Sequence, residues 1–376
     1  MEPFKNLFSP SLVKCIAFHL NKHIINFDAE GFENNILETL ETLELKGRAQ
    51  LISDQLHVVL PNDDKARQKV LYTILHPEEL DNGDKPSDED GIRNWGIFPL
   101  TLVVGQHGTH DIEESLLLLK AMTKRFTSEF GIRDLLIADQ SKALMVLQQW
   151  LTDPNKHVRR LISEGTRPRL PWGKQLPELI KDPTPMLPVL EALRDDKEEY
   201  VRRSVANHLN DIAKDHPDLV ATIANDWMKG ADKNREKLIR HACRSLIKQG
   251  HPLALKAFGI EPPDITLIDL SLTSSTVAFG SSLEFNVNLK SNSDKAQQLI
   301  IDYSIHFLKA NGKLAPKVFK GTKVTLEAGA SYQFQKRHAI KPITTRRCYA
   351  GLHALSLRIN GNDFGYIEFD LIMSEH

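Results

Sequence analysis

The segment Asp153-Pro-Asn-Lys-His-Val158-Arg-Arg returns 43 residues later as Asp196-Lys-Glu-Glu-Tyr-Val201-Arg-Arg. Upstream of each copy the apolar residues keep register, Leu147 and Trp150 against Leu190 and Leu193. A more degenerate copy is Leu238-Ile-Arg-His-Ala-Cys-Arg-Ser-Leu246. Helix pairs that recur every forty-odd residues, with a turn Asp followed by Val-Arg, have the period and pattern of HEAT units. Such units stack into a curved solenoid whose concave face can wrap an extended ligand. The rest of the first 260 residues reads as helix after helix. Leu12, Ile16 and Leu20 recur at helical spacing, as do Ile36, Leu40 and Leu43, with Leu51, Val58 and Val59 following in a third segment. Pro77 to Gly91, rich in Asp, Glu, Gly and Pro, reads as a surface loop. Asp111 is placed to cap a helix, with Glu114 completing a capping box, and that helix is expected to run through Leu116, Leu119, Met122, Phe126 and Phe130.

Helical texture stops at Gly259-Ile-Glu-Pro-Pro263, and the period changes to 2. Leu283, Phe285, Val287 and Leu289 alternate with polar residues, as do Ile301, Tyr303, Ile305 and Phe307. Asn311-Gly312 and Asn360-Gly361 are hairpin signals. About seven short strands of this kind argue for an immunoglobulin-like β-sandwich. The expected organisation is therefore a HEAT-like repeat domain over residues 1–260 and an immunoglobulin-like domain over 264–376.

Composition excludes more than it assigns. A chain of 376 residues has room for two domains, and 41% apolar with 26% charged residues is ordinary for a globular protein. No run of apolar residues is long enough to span a bilayer, and the first residues lack the basic and apolar regions of a secretion signal. Cys15, Cys243 and Cys348 lie far apart, which fits a reducing cytosol better than a disulfide framework. A cytoplasmic monomer is expected. His107 and His110 lack further ligands, and no phosphate loop is present, so neither metal nor cofactor is expected.

The net charge of −1 argues mildly against nucleic acid, but distribution matters more than the sum. Between residues 156 and 174, Lys156, Arg159, Arg160, Arg167, Arg169 and Lys174 crowd around a lone acid, Glu164, and an indole, Trp172. Cations beside one carboxylate and one large aromatic suit a polyanion whose target becomes positive during reaction, which points to damaged DNA. Loss of a base from a sugar passes through an oxocarbenium-like state that a nearby carboxylate stabilises. Glu164, Glu129 and Asp211 are the catalytic candidates, each near the C-terminal part of a predicted helix in successive units. Their ordinary alternatives are ion pairs: Glu164 with Arg160 or Arg167, Glu129 with Arg125 or Arg133, Asp211 beside Lys214. Trp172 is expected to pack on the sugar or cationic base, the alternative being an apolar plug between units. Arg159, Arg160, Arg167, Arg169 and Lys174 are the candidates for phosphates, although Arg159 shares its repeat position with Arg202, which favours turn capping for both. Trp150 and Trp227 sit at core spacing. Lys336, Arg337, Arg346 and Arg347 offer a second DNA contact in the sandwich.

These residues together resemble the AlkC/AlkD superfamily of DNA alkylation-repair glycosylases, on its AlkC branch. The resemblance rests on His157-Val-Arg-Arg…Ser163-Glu-Gly-x-Arg-Pro-Arg-Leu-Pro-Trp172, with support from Phe126-Thr-Ser-Glu129-Phe and Val201-Arg-Arg-Ser-Val-Ala-Asn-His-Leu-Asn-Asp211. It covers essentially the whole chain, and Gly96-Ile-Phe-Pro-Leu100 is a weaker match. It implies a DNA glycosylase of base excision repair that acts on double-stranded DNA. The bond hydrolysed would be the N-glycosidic bond of cationic N-alkylated bases such as 3-methyladenine, reached without flipping the lesion into a deep pocket. The rival reading is a non-catalytic HEAT-repeat scaffold binding DNA or a peptide.

Overall fold

The computed structural model describes residues 3–79, 85–343 and 347–373; Arg346 and residues 80–84 of the acidic loop fall outside them. Among the described residues the chain is helical from Pro10–Asn21 to Pro252–Lys256, and then an immunoglobulin-like β domain runs from Ile265 to Ile372. The first two helices bury the expected stripes, Val13, Ile16 and Leu20, then Phe32, Ile36 and Leu40. The third, Leu45–Val59, corrects its expected register, because the buried stripe is Ala49, Ile52 and Leu56 while Val58 is exposed. A buried cation hides that stripe from the sequence. Arg48 donates to the carbonyls of Leu43 (3.0 Å), Lys5 (3.2 Å) and Phe8 (3.3 Å), filling a position that periodicity reserves for an apolar residue.

Asp111 caps Ile112–Thr123 as expected, accepting from the Glu114 N–H. The helix stops at Thr123, short of Phe126 and Phe130. The Ser128 hydroxyl donates back to the Leu119 carbonyl (2.9 Å) and closes its end. That early stop swings the two phenylalanines and Glu129 into a turn ahead of Ile132–Ala138.

The repeat is built as a ladder. Helices Lys156–Gly165 and Glu199–Ile212 pack together, and Lys233–Ala242 packs on the second. Val158 and Val201 are both fully buried. Arg159 donates to the carbonyls of Asp153 (2.8 Å) and Pro154 (3.1 Å), and Arg202 to those of Asp196 (2.5 Å) and Lys197 (2.9 Å), six and five residues back in both cases. Each turn aspartate caps the N–H two residues on, Asp153 that of Asn155 and Asp196 that of Glu198, both at 2.9 Å. Units are stitched by Lys120 to Asp153 (2.8 Å) and by Arg159 to Asp196 through two bonds of 2.6 and 3.0 Å. Arg159 is therefore a turn and inter-unit brace, buried against protein. The expectation that it grips a phosphate is corrected.

The chain divides into two compact units, Met1–Asp215 with Lys233–Ala242, and His216–Asp232 with Cys243–His376. The expected boundary at residue 260 moves accordingly, since Pro217–Met228, Arg244–Gln249 and Pro252–Lys256 group with the sandwich. Within that second unit the Asn225 amide donates to the Leu253 carbonyl (2.8 Å). Gly250, at φ +75°, lies so close to Gly361 that a Cβ would stand 2.0 Å from the Gly361 Cα.

The sandwich has strands β1 (Ile265–Leu272), β2 (Thr276–Ala278), β3 (Ser282–Ser291), β4 (Gln297–Leu308), β5 (Leu314–Leu326), β6 (Ser331–Ala339), β7 (Gly351–Ile359) and β8 (Asn362–Ile372). One sheet runs β1-β3-β6 and the other β2-β8-β7-β4-β5. The alternating residues of β3 and β4 named from the sequence are all buried between the sheets. Asn360 and Gly361 both take positive φ, 45° and 84°, as the two central residues of the β7–β8 turn require.

Candidate active site

Glu164 is the penultimate residue of Lys156–Gly165, Asp211 that of Glu199–Ile212, and Glu129 lies in the turn before Ile132–Ala138, where a helix end was expected. The structure brings all three to one place, linked by two arginines. Arg160 sits 2.5 Å from Glu129 Oε2 and 3.4 Å from Glu164 Oε1. Arg167 donates from Nη1 to Glu164 Oε1 (2.6 Å) and from Nε to Asp211 Oδ2 (2.8 Å). Lys214 Nζ, half exposed, donates to Asp211 Oδ1 (2.8 Å), and the Ser204 hydroxyl to Glu164 Oε2 (2.7 Å). The order along the chain of contacts is acid, base, acid, base, acid. Glu164 is only 5% exposed. An unpaired carboxylate buried this deeply would take up a proton. Burial does push it upward, but the Arg160 and Arg167 guanidiniums and the Ser204 hydroxyl outweigh that and hold it below the usual carboxylate range. At neutral pH Glu164 is a fixed negative charge, suited to stabilising a cation and unsuited to donating a proton. The chain of three acids and two buried guanidiniums carries one net negative charge, with half-exposed Lys214 as the counter-charge at its Asp211 end.

Beside this network lies a cleft of about 310 Å³. Leu45, Trp95, Phe98, Phe126, Phe130, Leu170, Pro171 and Trp172 form its apolar walls, and Glu129, Glu164 and Arg167 its polar side. Trp172 is 66% exposed and holds φ at +65°, a backbone conformation costly for a bulky residue. It is not a plug between units. Two cations hold its loop: Lys46 Nζ donates to the Trp172 carbonyl (2.7 Å), and fully buried Arg133 donates to the Gly165 carbonyl (2.8 Å) and to that of Lys174. Burial pulls the Arg133 guanidinium down to about 10.

The other sequence candidates separate by direction. Arg160 and Arg167 turn inward to the acids, which corrects their assignment to phosphates. Arg169 pairs with Asp215 through two bonds of 2.7 and 2.8 Å near the surface, and exposed Lys174 pairs with Asp134. Only these two of the five stand where a phosphate could compete for them. In the sandwich, Arg337 pairs with Glu284 (3.4 Å) and Lys336 reaches the Gly321 carbonyl (3.4 Å); adjacent on β6, they point to opposite faces. Trp150 and Trp227 are buried, as their spacing indicated. His107 stacks on His57 (3.5 Å) and His110 bonds Asp64, and among the described residues neither belongs to a group of three or more ligand-type side chains. His76, Asp88 and Asp90 bring ligand-type atoms within 4.8 Å of one another, but Asp88 is already paired to Arg93 (2.5 Å). Among the described residues no helix is long and apolar enough to cross a membrane.

Sequence reasoning missed Ser204, the part Arg133 plays in holding the Trp172 loop, and the aromatic walls other than Trp172. Ser204 left one signal, because it stands where the preceding copy has Leu161, a polar break at an apolar repeat position.

His208, fully buried behind the acids, contacts the Ser163 carbonyl through Nδ1 (2.8 Å). Burial lowers its imidazole from 6.5 to about 4. The folded chain keeps it neutral, so as pH falls the unfolded chain takes up the proton first. Its contribution is whole above pH 6.5 and is lost as pH falls toward 4, about 3 kcal/mol over that window. Urea unfolding of wild type and His208→Gln at pH 7 and pH 5 checks this. The variant is expected to lose less stability between the two, and equal losses would refute it.

The chain matches the family model described as DNA alkylation repair enzyme over residues 127–246 and that described as the C-terminal Ig-like domain of uncharacterised protein YhaZ over 266–373. It is 38% identical over 374 residues to uncharacterized protein YhaZ of Bacillus subtilis, spanning 99% of this chain and all of that one. It is similar, at 35% identity and a TM-score of 0.80, to Pseudomonas fluorescens alkylpurine DNA glycosylase AlkC, solved bound to DNA containing an abasic site analog. That likeness covers 99% of this chain and 100% of the other.

Proposed function

Since the chain belongs to the DNA alkylation repair family that contains YhaZ and AlkC, we propose that it hydrolyses the N-glycosidic bond of cationic N-alkylated bases, such as 3-methyladenine, in double-stranded DNA. The observation that carries this reading is the meeting of Glu129, Glu164 and Asp211 beside an open aromatic cleft. A base with a fixed positive charge leaves neutral, taking both electrons of the C1′–N bond, so no strong acid is needed. The sugar is left as an oxocarbenium-like cation facing the carboxylates. Water adds at C1′ and gives up a proton to a carboxylate of the set, yielding an abasic site and a free base. An exposed Trp172 at the rim suits a lesion approached from the backbone rather than swallowed in a deep pocket.

Incubation with methylated DNA, followed by chromatography of freed bases, tests the reading. Release of 3-methyladenine above the buffer control is expected, and a scaffold would release nothing beyond it. Trp172→Ala should slow release about tenfold, because a cation stacked on an indole gains roughly 0.5–2 kcal/mol. Its melting temperature should be unchanged, as the ring is mostly in solvent. Wild-type rates in that variant would remove Trp172 from the site.

A further inference from the structure

Glu164 and Asp211 are buried on neighbouring helices and share one partner. We propose that Arg167 is a positioning residue for the glycosidic reaction, a two-pronged fork whose Nη1 holds Glu164 and whose Nε holds Asp211. The role rests on the glycosylase reading above, whereas the fork itself is a matter of geometry. Its side chain is buried and two of its N–H edges are already committed, which leaves it a poor ligand for a phosphate.

Two buried negative charges that share one guanidinium repel, and removing that cation favours the protonated form of Glu164. The neighbours of Glu164 show why Arg167 is that cation. Arg160 faces it from its own helix; Tyr200, Ser204, His208 and Asp211 face it from Glu199–Ile212; Glu129 stands across Arg160. Arg133 is within electrostatic reach of both Glu129 and Asp211, and Lys214 bonds Asp211 alone. Arg160 bridges Glu129 and Glu164, so only Arg167 bridges Glu164 and Asp211 among the described residues. A lysine is a single point charge and would serve one acid at a time.

The test follows the Glu164 carboxyl by NMR in full-length protein carrying ¹³C-labelled glutamate, with the signal assigned by its loss in Glu164→Gln. Wild-type Glu164 is expected to titrate below 4.5. Arg167→Met should raise that midpoint by more than about one pH unit, the size of shift a paired like charge produces, with Arg167→Lys in between. The double variant Arg167→Met/Asp211→Asn should return toward wild type, because the repelling charge is gone; a merely structural role would not be rescued this way. The acid limb of base release should move with the same variants. A Glu164 titration unmoved in Arg167→Met overturns the assignment, and if that variant does not fold, an unmoved titration in Arg167→Lys does so. An active wild type with unmoved titrations defeats this inference alone, whereas a wild type that releases no base defeats the function assigned above.

Discussion

Glu164→Gln is expected to lower single-turnover release of methylated base by about three powers of ten while binding methylated DNA nearly as well as wild type. One unit charge about 4 Å from the reacting sugar is worth roughly 4 kcal/mol at an effective dielectric of 20, and each 1.36 kcal/mol is about tenfold in rate. Glutamine keeps the shape and can still accept from Arg167 and meet the Ser204 hydroxyl, so the loss is of charge. The net charge of the acid–arginine chain changes from one negative to neutral, removing what the cationic sugar is attracted to. Glu129 and Asp211 remain to hold Arg160 and Arg167, so the variant folds. Release within about threefold of wild type would take Glu164 off the catalytic list.

Arg159→Ala is expected to destabilise the repeat by about 3–5 kcal/mol, the usual cost of breaking a buried ion pair from one side. It strands Asp196 and uncaps two carbonyls at once. Arg202→Ala, which loses only bonds to two carbonyls, should cost less, about 1–2 kcal/mol. Urea unfolding compares the two. DNA binding gives a second check, because a residue that holds a phosphate contributes to the salt dependence of affinity. A folded Arg159→Ala protein should keep the wild-type slope, and a slope reduced by about one unit would return Arg159 to the phosphate set.

What the sequence disclosed follows from what periodicity encodes. Alternation in β3 and β4 reports which face is buried, and every residue it named is in the core. The 43-residue offset placed Val158 and Val201 correctly, because stacked units need the same apolar contact at each step. Direction of charged side chains is not encoded that way. Arg160 and Arg167 looked like a basic stripe for DNA; their pairing with Glu164 was the local alternative that spacing offered, whereas the other two acids they face, Glu129 and Asp211, lie 31 and 44 residues away. The third helix misled for the same reason, as buried Arg48 satisfies its charge on carbonyls from two separate segments, Lys5 and Phe8 in one and Glu41 and Leu43 in the other. The cleft was hidden because Phe126 and Phe130 continue a helical spacing past the point where Ser128 ends the helix. The unit boundary escaped notice because a contact such as that between Gly250 and Gly361 has no signature in local pattern.

The most direct measurement is a crystal structure of this protein with duplex DNA carrying a cationic, ring-nitrogen mimic of the deoxyribose. The ring nitrogen is expected within about 4 Å of a Glu164 oxygen, the range over which one charge matters this much, with Glu129 and Asp211 in the same group and Trp172 against the sugar. A ring nitrogen lying beyond about 10 Å from all three carboxylates, where solvent and salt screen the interaction, would contradict the account.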